Sequence, residues 1–290
     1  MTLETESFCK VNLLLNVLGK RADGFHELET VMHPVNVCDR LRFARGGQGI
    51  QLTCSDPALP TDGRNLVCRA ATAFLQAARV QDGLRIHLEK RIPVAAGLGG
   101  GSGNAAATLT GLNELFGRPL TAGQLHQIAV SLGSDIPFFL QDKPALATGR
   151  GEKIEPLDFF PALRGAAFLL IHPGFGISTA WAYEQLAHHP LSLNGQPGRA
   201  RRLISLLETA DLRAAREEFY NSLDAPALKK HPLLALFQEF LRANGAVAAL
   251  MSGSGSTTFT LVQGQATAET LAAKFKNKFG ETSWTAVVPV

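Results

Sequence analysis

Between Pro93 and Leu109 the chain reads Pro-Val-Ala-Ala-Gly-Leu-Gly-Gly-Gly-Ser-Gly-Asn-Ala-Ala-Ala-Thr-Leu, and this run constrains the molecule more than any other stretch. Gly97, Gly99, Gly100, Gly101 and Gly103 fall within seven positions. Directly after them come Ala105, Ala106, Leu109, Leu112 and Leu115, spaced three or four apart as on one face of a helix. A loop nearly free of side chains therefore feeds a helix start. Such a loop can turn several backbone N–H groups onto an anion, and the helix N-terminus adds about half a positive charge. The run is a candidate phosphate cradle; a connection that is merely rich in glycine is the alternative.

Two common phosphate motifs are tested by the same residues. Asn104 and Ala105 stand where a P-loop would need its lysine and hydroxyl, so a Walker-type NTPase is excluded. Gly101-Ser-Gly103-Asn-Ala-Ala106 fits a loose dinucleotide fingerprint. That fingerprint wants an acid roughly 20 positions on, where the chain reads Leu120-Thr-Ala-Gly-Gln, and a Rossmann oxidoreductase is left as a weak rival.

The remaining chain is that of a folded enzyme-sized protein. Its 290 residues are 46% hydrophobic and 18% charged, which predicts a well-packed core without disorder. A net charge of +3 with no basic cluster interleaved with aromatics predicts no nucleic-acid partner. Asn12 and Asn16 interrupt the apolar stretch near the N-terminus, which makes it a poor signal peptide, and no run reaches the ~18 apolar residues of a membrane span. The expectation is a cytoplasmic protein, with no membrane association and no obligate protein partner. Cys9, Cys38, Cys54 and Cys68 form no C-x-x-C pair and read as reduced, mostly core residues.

Period-two alternation predicts strands over 11–18 and 31–37, joined by a polar turn from Gly19 to His26, and further strands at 50–54 and 84–88. Helices are expected at 66–78, after the glycine run, and at 125–132. In the second half a buried strand at 166–171 precedes a helix from Thr179, and the stretch from His188 to Ala200, rich in Pro, Gly and Asn, reads as a mobile loop. One strong helix over 228–241, a strand-turn-strand at 247–262, a helix around Leu271 to Phe279 and a last strand at 284–288 complete the chain. Pro156 and Pro161 flank an irregular stretch, placing a boundary near residue 155 between domains 1–155 and 156–290. Strands and helices in mixed order argue for α+β layering.

The Pro93 run resembles the ATP-phosphate motif of the GHMP kinases, usually Pro-x-x-x-Gly-Leu-Gly-x-Ser-Ser followed by Ala. Two more stretches fit that family in the right order: Phe8-Cys-Lys-Val-Asn-Leu13 and Met251-Ser-Gly-Ser-Gly-Ser256. The resemblance implies a two-domain α+β fold, with an N-terminal ribosomal-protein-like domain and a C-terminal ferredoxin-like domain. It implies ATP as phosphoryl donor with Mg2+, and an ATP site made of Pro93, Gly97, Leu98, Gly99, Gly100, Gly101, Ser102 and Gly103, with Asn65 near the adenine. No protein carboxylate stands out as a metal ligand; Ser102 is a possible contact. The family usually has Pro-Ala where this chain has Phe8-Cys9, and a second serine where it has Gly103.

Within the family, Gly19 to Val31 and Ser134-Asp-Ile-Pro-Phe-Phe139 are similar to a branch whose acceptor is a small alcohol carrying a cytidine diphosphate group. That likeness makes Asp135 the base for the acceptor hydroxyl, where the residues alone would suggest a helix cap. It makes Lys10 the cation beside that base, where base rates would give a solvated surface lysine. Phe25 and His26 become the cytosine-recognising pair, with Tyr183 as second stacking aromatic, against a plain reading of core phenylalanine and loop histidine. Asn12, Gly253 and Gly255 fall on the acceptor side, Gly253 and Gly255 reading otherwise as an ordinary hairpin turn, and Asn65 as a helix cap. Rivals are a homoserine-type kinase of the same family, a dehydrogenase, and a nucleotide binder without catalysis.

Overall fold

The computed structural model describes residues 2–209 and 211–290. Its strands are β1 (Thr2–Lys20), β2 (His26–Arg45), β3 (Ile50–Cys54), β4 (Leu84–Glu89), β5 (Ala145–Gly149), β6 (Lys153–Pro156), β7 (Ala166–His172), β8 (Tyr220–Asn221), β9 (Ala248–Met251), β10 (Thr258–Gln263) and β11 (Trp284–Pro289). Its helices are α1 (Leu66–Ala78), α2 (Gly100–Leu115), α3 (Ala122–Leu132), α4 (Thr179–Gln185), α5 (Pro190–Leu193), α6 (Arg199–Leu207), α7 (Asp224–Lys230), α8 (Pro232–Ala243) and α9 (Gln265–Phe279). The chain packs as two units, one of residues 1–9, 37–92 and 99–142, the other of residues 10–36, 93–98 and 143–290. Strands β1 and β2 are long enough to contribute to both.

In the first unit β4 pairs antiparallel with β2 and parallel with β3. The apolar face of these strands, Leu41, Phe43, Leu52, Ile86 and Leu88, is covered by α1, α2 and α3 through Phe74, Leu109, Leu112 and Ala129. Helix α1 starts where Asn65 Oδ1 accepts the N–H of Val67, and α3 starts at a capping box between Thr121 and Gln124.

In the second unit β7 is central to a four-stranded antiparallel sheet of order β11-β7-β10-β9, with Phe259 opposite Leu170 and Val287 opposite Leu169. Ala167, Leu169 and Ile171 alternate onto a core shared with Phe237 of α8 and Phe275 of α9, whose rings meet edge to face at 4.7 Å. On the other side of β7, Phe168 lies 5.6 Å from the His33 ring. The same unit pairs β2 with β5, β5 with β6, and β1 with β8. The fold is α+β in both units.

The structure sharpens three local readings. Strand β1 is buried on both faces from Cys9 to Val17, so Asn12 and Asn16, which interrupt its apolar run, are interior residues. The predicted helix over 228–241 is two, because Pro232 cannot continue a ladder through His231 and instead opens α8. The stretch from His188 to Ala200 is not all loop: Pro190 starts the short α5, and Ala200 belongs to α6. That stretch is strapped down by two buried polar residues. Asn16 Nδ2 donates to the Gln196 carbonyl at 2.9 Å, and the Glu29 carboxylate accepts the N–H groups of Gly198 at 3.0 Å and Ala200 at 3.1 Å. Glu29 thereby satisfies the orphan donors of the α6 start.

Candidate active site

The glycine run is less of a loop than its composition suggests. Gly99, at φ +70°, is the last residue outside α2, and Gly100, Gly101, Ser102 and Gly103 already form its first turn. The cap residue has no side chain, and no acidic residue lies in that turn, so no carboxylate competes for the N-terminal N–H groups. This is the arrangement that receives a phosphate. Gly103 is buried, Ser102 half-buried and Gly101 exposed.

In the first unit Asp135 occupies the cap position of a short 3-10 helix, Ile136–Leu140, but its side chain makes no capping hydrogen bond there. The plain capping explanation for this aspartate therefore fails. Asn65, by contrast, caps α1, and its Nδ2 donates to the Pro60 carbonyl at 2.8 Å, so both ends of its amide are engaged within the chain.

The second unit gathers the rest. Lys10 is 2% exposed, which overturns the surface reading. Its Nζ donates to Asn12 Oδ1 at 2.5 Å and to the Gly97 carbonyl at 3.0 Å. Asn12 is oriented in turn, its Nδ2 donating at 2.9 Å to Thr30 Oγ1, which donates to the Leu14 carbonyl. The Gly97 oxygen also accepts from Ser252 Oγ at 2.9 Å. Three separate motifs thus meet at one backbone atom of the glycine run. Gly97 must be glycine: φ is +76°, and a Cβ there would sit 1.9 Å from the Ser252 carbonyl oxygen. The run is further held by Lys10 N–H on the Leu98 carbonyl at 3.0 Å and Thr257 N–H on the Ala96 carbonyl at 3.1 Å.

Gly253 and Gly255 do form the hairpin turn between β9 and β10, with the Gly255 N–H on the Ser252 carbonyl at 2.9 Å. The turn also packs closely on the Lys10 cluster, since a Cβ at Gly253 would lie 3.2 Å from Asn12 Oδ1 and 3.3 Å from Lys10 Nζ. Behind it, buried Asn221 donates to the Met251 and Gly253 carbonyls at 2.9 and 2.8 Å. Sequence reasoning gave Ser252, Thr30 and Asn221 no role. Ser252 and Thr30 stood within quoted motifs; Asn221 carries no signal that pattern alone could have raised.

The turn before β2 presents the aromatic group. Phe25 is exposed, with the Arg150 guanidinium 4.6 Å from its ring centroid, and the His26 ring lies 5.1 Å from that of Tyr183 at 30°. Partial burial, with a smaller push from Lys20, lowers the His26 pKa below the ordinary histidine value. At neutral pH the imidazole is therefore uncharged, with one N–H donor and one acceptor nitrogen. Among the described residues no group of three or more His, Cys, Asp or Glu side chains could hold a metal ion, and no helix is long and apolar enough to cross a membrane.

Known proteins share the sequence pattern and fold of this chain. The pattern described as GHMP kinases N terminal domain matches residues 65–143, and that described as GHMP kinases C terminal matches residues 203–281. Fold and sequence pattern therefore define the class of the GHMP kinases, ATP-dependent kinases of small alcohols. A curated 4-diphosphocytidyl-2-C-methyl-D-erythritol kinase of a Synechococcus species is 43% identical over 87% of this chain and 82% of its own. One of a Geobacter species is 40% identical over 93% of each chain. A crystal structure of 4-(cytidine 5'-diphospho)-2C-methyl-D-erythritol kinase, 32% identical, superposes with a TM-score of 0.78 over 99% of this chain and all of that one. Homoserine kinase from Cytophaga hutchinsonii, at 20% identity and a TM-score of 0.74 over 99% of this chain and 95% of its own, shares the fold. The chain belongs to the 4-diphosphocytidyl-2-C-methyl-D-erythritol kinase family.

Proposed function

We propose that this protein transfers the γ-phosphoryl group of ATP to the 2-hydroxyl of 4-diphosphocytidyl-2-C-methyl-D-erythritol, a step of non-mevalonate isoprenoid precursor synthesis carried out in the cytoplasm. The observation that carries the reading is the convergence of Lys10, Ser252 and the glycine run on the Gly97 carbonyl. A buried cation bonded to the Gly97 carbonyl supports reading the adjoining run as the loop for the triphosphate. Phosphoryl transfer needs positioning and charge stabilisation more than covalent chemistry, and one ammonium with one carboxylate suffices.

Each residue then has a task. The first-turn N–H groups of α2 cradle the phosphates, helped by the helix charge, and Ser102 offers the hydroxyl nearest them in sequence. Ser102 would be the protein contact of a Mg2+ ion, which would neutralise charge on the ATP phosphates. Asp135 accepts the proton of the acceptor hydroxyl. Lys10, fixed by Asn12 and Gly97, supplies positive charge that offsets the negative charge of the phosphoryl group in transfer. Phe25 and Tyr183 offer faces for the cytosine ring, and neutral His26 offers its edge a donor or acceptor. Asn65 borders the adenine.

The test is to incubate the protein with Mg-ATP and a panel of alcohols and follow ADP. Turnover that depends on the cytidyl group is expected. Turnover of homoserine without that dependence, or ATP binding with no turnover of any alcohol, would overturn the reading.

A further inference from the structure

Asp39, in β2, is completely buried and accepts four hydrogen bonds, yet nothing in the reaction described above uses it. Its Oδ1 accepts the backbone N–H groups of Arg91 at 2.7 Å and Ile92 at 2.9 Å. Its Oδ2 accepts from Asn104 Nδ2 at 2.9 Å and from the Lys90 ammonium. These donors bracket the glycine run. Arg91 and Ile92 directly precede Pro93, and Asn104 directly follows Gly103. The cluster also reaches the helix start, since a Cβ at Gly100 would fall 3.1 Å from Lys90 Nζ and 3.0 Å from Ile92 Cγ2. Asn104 is held from its other side by Ser7, whose Oγ accepts from the same Nδ2 at 3.0 Å.

A buried carboxylate and ammonium pair is a poor device for stability alone, because well-packed apolar residues of similar volume often do as well. What a carboxylate adds here is geometry: two oxygens, four fixed donors, and both ends of one loop joined through a single rigid group. Lys90 balances the charge, so the pair joins the loop ends without leaving a bare anion beneath the phosphate site.

We propose that Asp39 is a positioning residue for ATP, clamping residues 91–92 to Asn104 so that the N–H groups at the start of α2 keep the spacing a triphosphate requires. The proposal rests on the glycine run being the ATP-phosphate cradle. It does not involve the acceptor, and that separation makes it testable.

The measurement is binding of a non-hydrolysable ATP analogue to the full-length protein by calorimetry, beside steady-state KM for ATP and for the acceptor. Asp39→Asn should weaken nucleotide binding by roughly tenfold or more and raise the KM for ATP in step, while the acceptor KM stays within about twofold. Asn104→Ala, which leaves the Asp39 and Lys90 pair intact, should weaken nucleotide binding by roughly fivefold, the weight of one net hydrogen bond. It carries the test if Asp39→Asn does not fold. Nucleotide binding in a folded variant that is unchanged or tighter overturns the clamp, as does a rise in both KM values together. Failure of the wild-type protein to bind the analogue would instead sink the cradle reading itself, which keeps the two failures apart.

Discussion

A Cβ built on Gly103 would lie 2.7 Å from the carbonyl oxygen of Phe8 and 3.0 Å from Ser7 Oγ, so this position in the first turn of α2 is closed to any side chain. The two places where this chain departs from the usual GHMP pattern, Phe8-Cys9 and Gly103, are therefore in contact with each other. No serine hydroxyl could stand at 103 without moving β1 or the helix start. If the run is the phosphate cradle proposed above, backbone N–H groups and the helix charge hold the phosphates more than a pair of hydroxyls would.

Gly103→Ser should accordingly do harm where the family pattern would suggest improvement. Overpacking of this kind costs about 1–3 kcal/mol, and ATP affinity should not rise. Denaturant unfolding and nucleotide binding measured on the same preparation check it. A variant with wild-type stability and tighter ATP binding would show that the missing hydroxyl matters.

Lys10→Ala and Asp135→Asn should each lower kcat by roughly 10²–10⁴-fold, the usual weight of a positioned proton acceptor or charge, with nucleotide binding nearly intact. Single-turnover kinetics beside ATP-analogue binding would separate the two effects. Near-normal turnover in either variant contradicts the assignment.

Acceptor affinity should fall in acid before ATP affinity does. Partial burial holds His26 neutral below the ordinary histidine value of about 6.5, and protonation removes its acceptor nitrogen. The acceptor KM should therefore rise as pH falls through that lowered pKa. His26→Ala should raise the acceptor KM at neutral pH and flatten its pH dependence, leaving the KM for ATP unchanged.

His33 carries a separate dependence that concerns folding. Buried among Phe159, Phe160 and Phe168, with Nδ1 bonded to the Pro34 carbonyl at 2.7 Å, its pKa is pushed down to about 4 by burial. The unfolded chain takes up this proton near pH 6.5 and the folded one does not, so this contribution is complete above that value and is lost as pH falls toward about 4. The loss amounts to about 3 kcal/mol. The difference in unfolding free energy between wild type and His33→Leu, followed by denaturant titration across that window, should shrink by this amount. A difference independent of pH would contradict it.

The parts of the molecule that were legible in the sequence are those where a local rule decides the structure. Strand β3 at Ile50–Cys54 and helix α1 at Leu66–Ala78 follow directly from periodicity and an asparagine cap. Long-range packing hid the rest. The burial of Asn12 and Asn16 is not legible because the chain alone does not tell that β1 is covered on both faces. The segment from His188 to Ala200 looks unstructured because what orders it is Glu29, some 170 residues earlier. At the candidate site the motif residues were visible as motifs, yet Lys10 by composition alone would have been a surface residue, and its acceptors lie 2 and 87 positions away. Asp39 gave no signal at all: a single aspartate in a strand has no pattern, and only the fold brings its four donors to it.

The acceptor that Lys10 shares with Ser252 is a main-chain oxygen, and this bears on how the protein could be inhibited or could drift. No replacement of a side chain deletes that oxygen; only a change in the path of residues 93–98 can displace it. A small molecule or a distant substitution that bends this short segment would uncouple the buried ammonium while leaving every motif residue in place, and the resulting loss of turnover would be invisible to anyone reading the sequence.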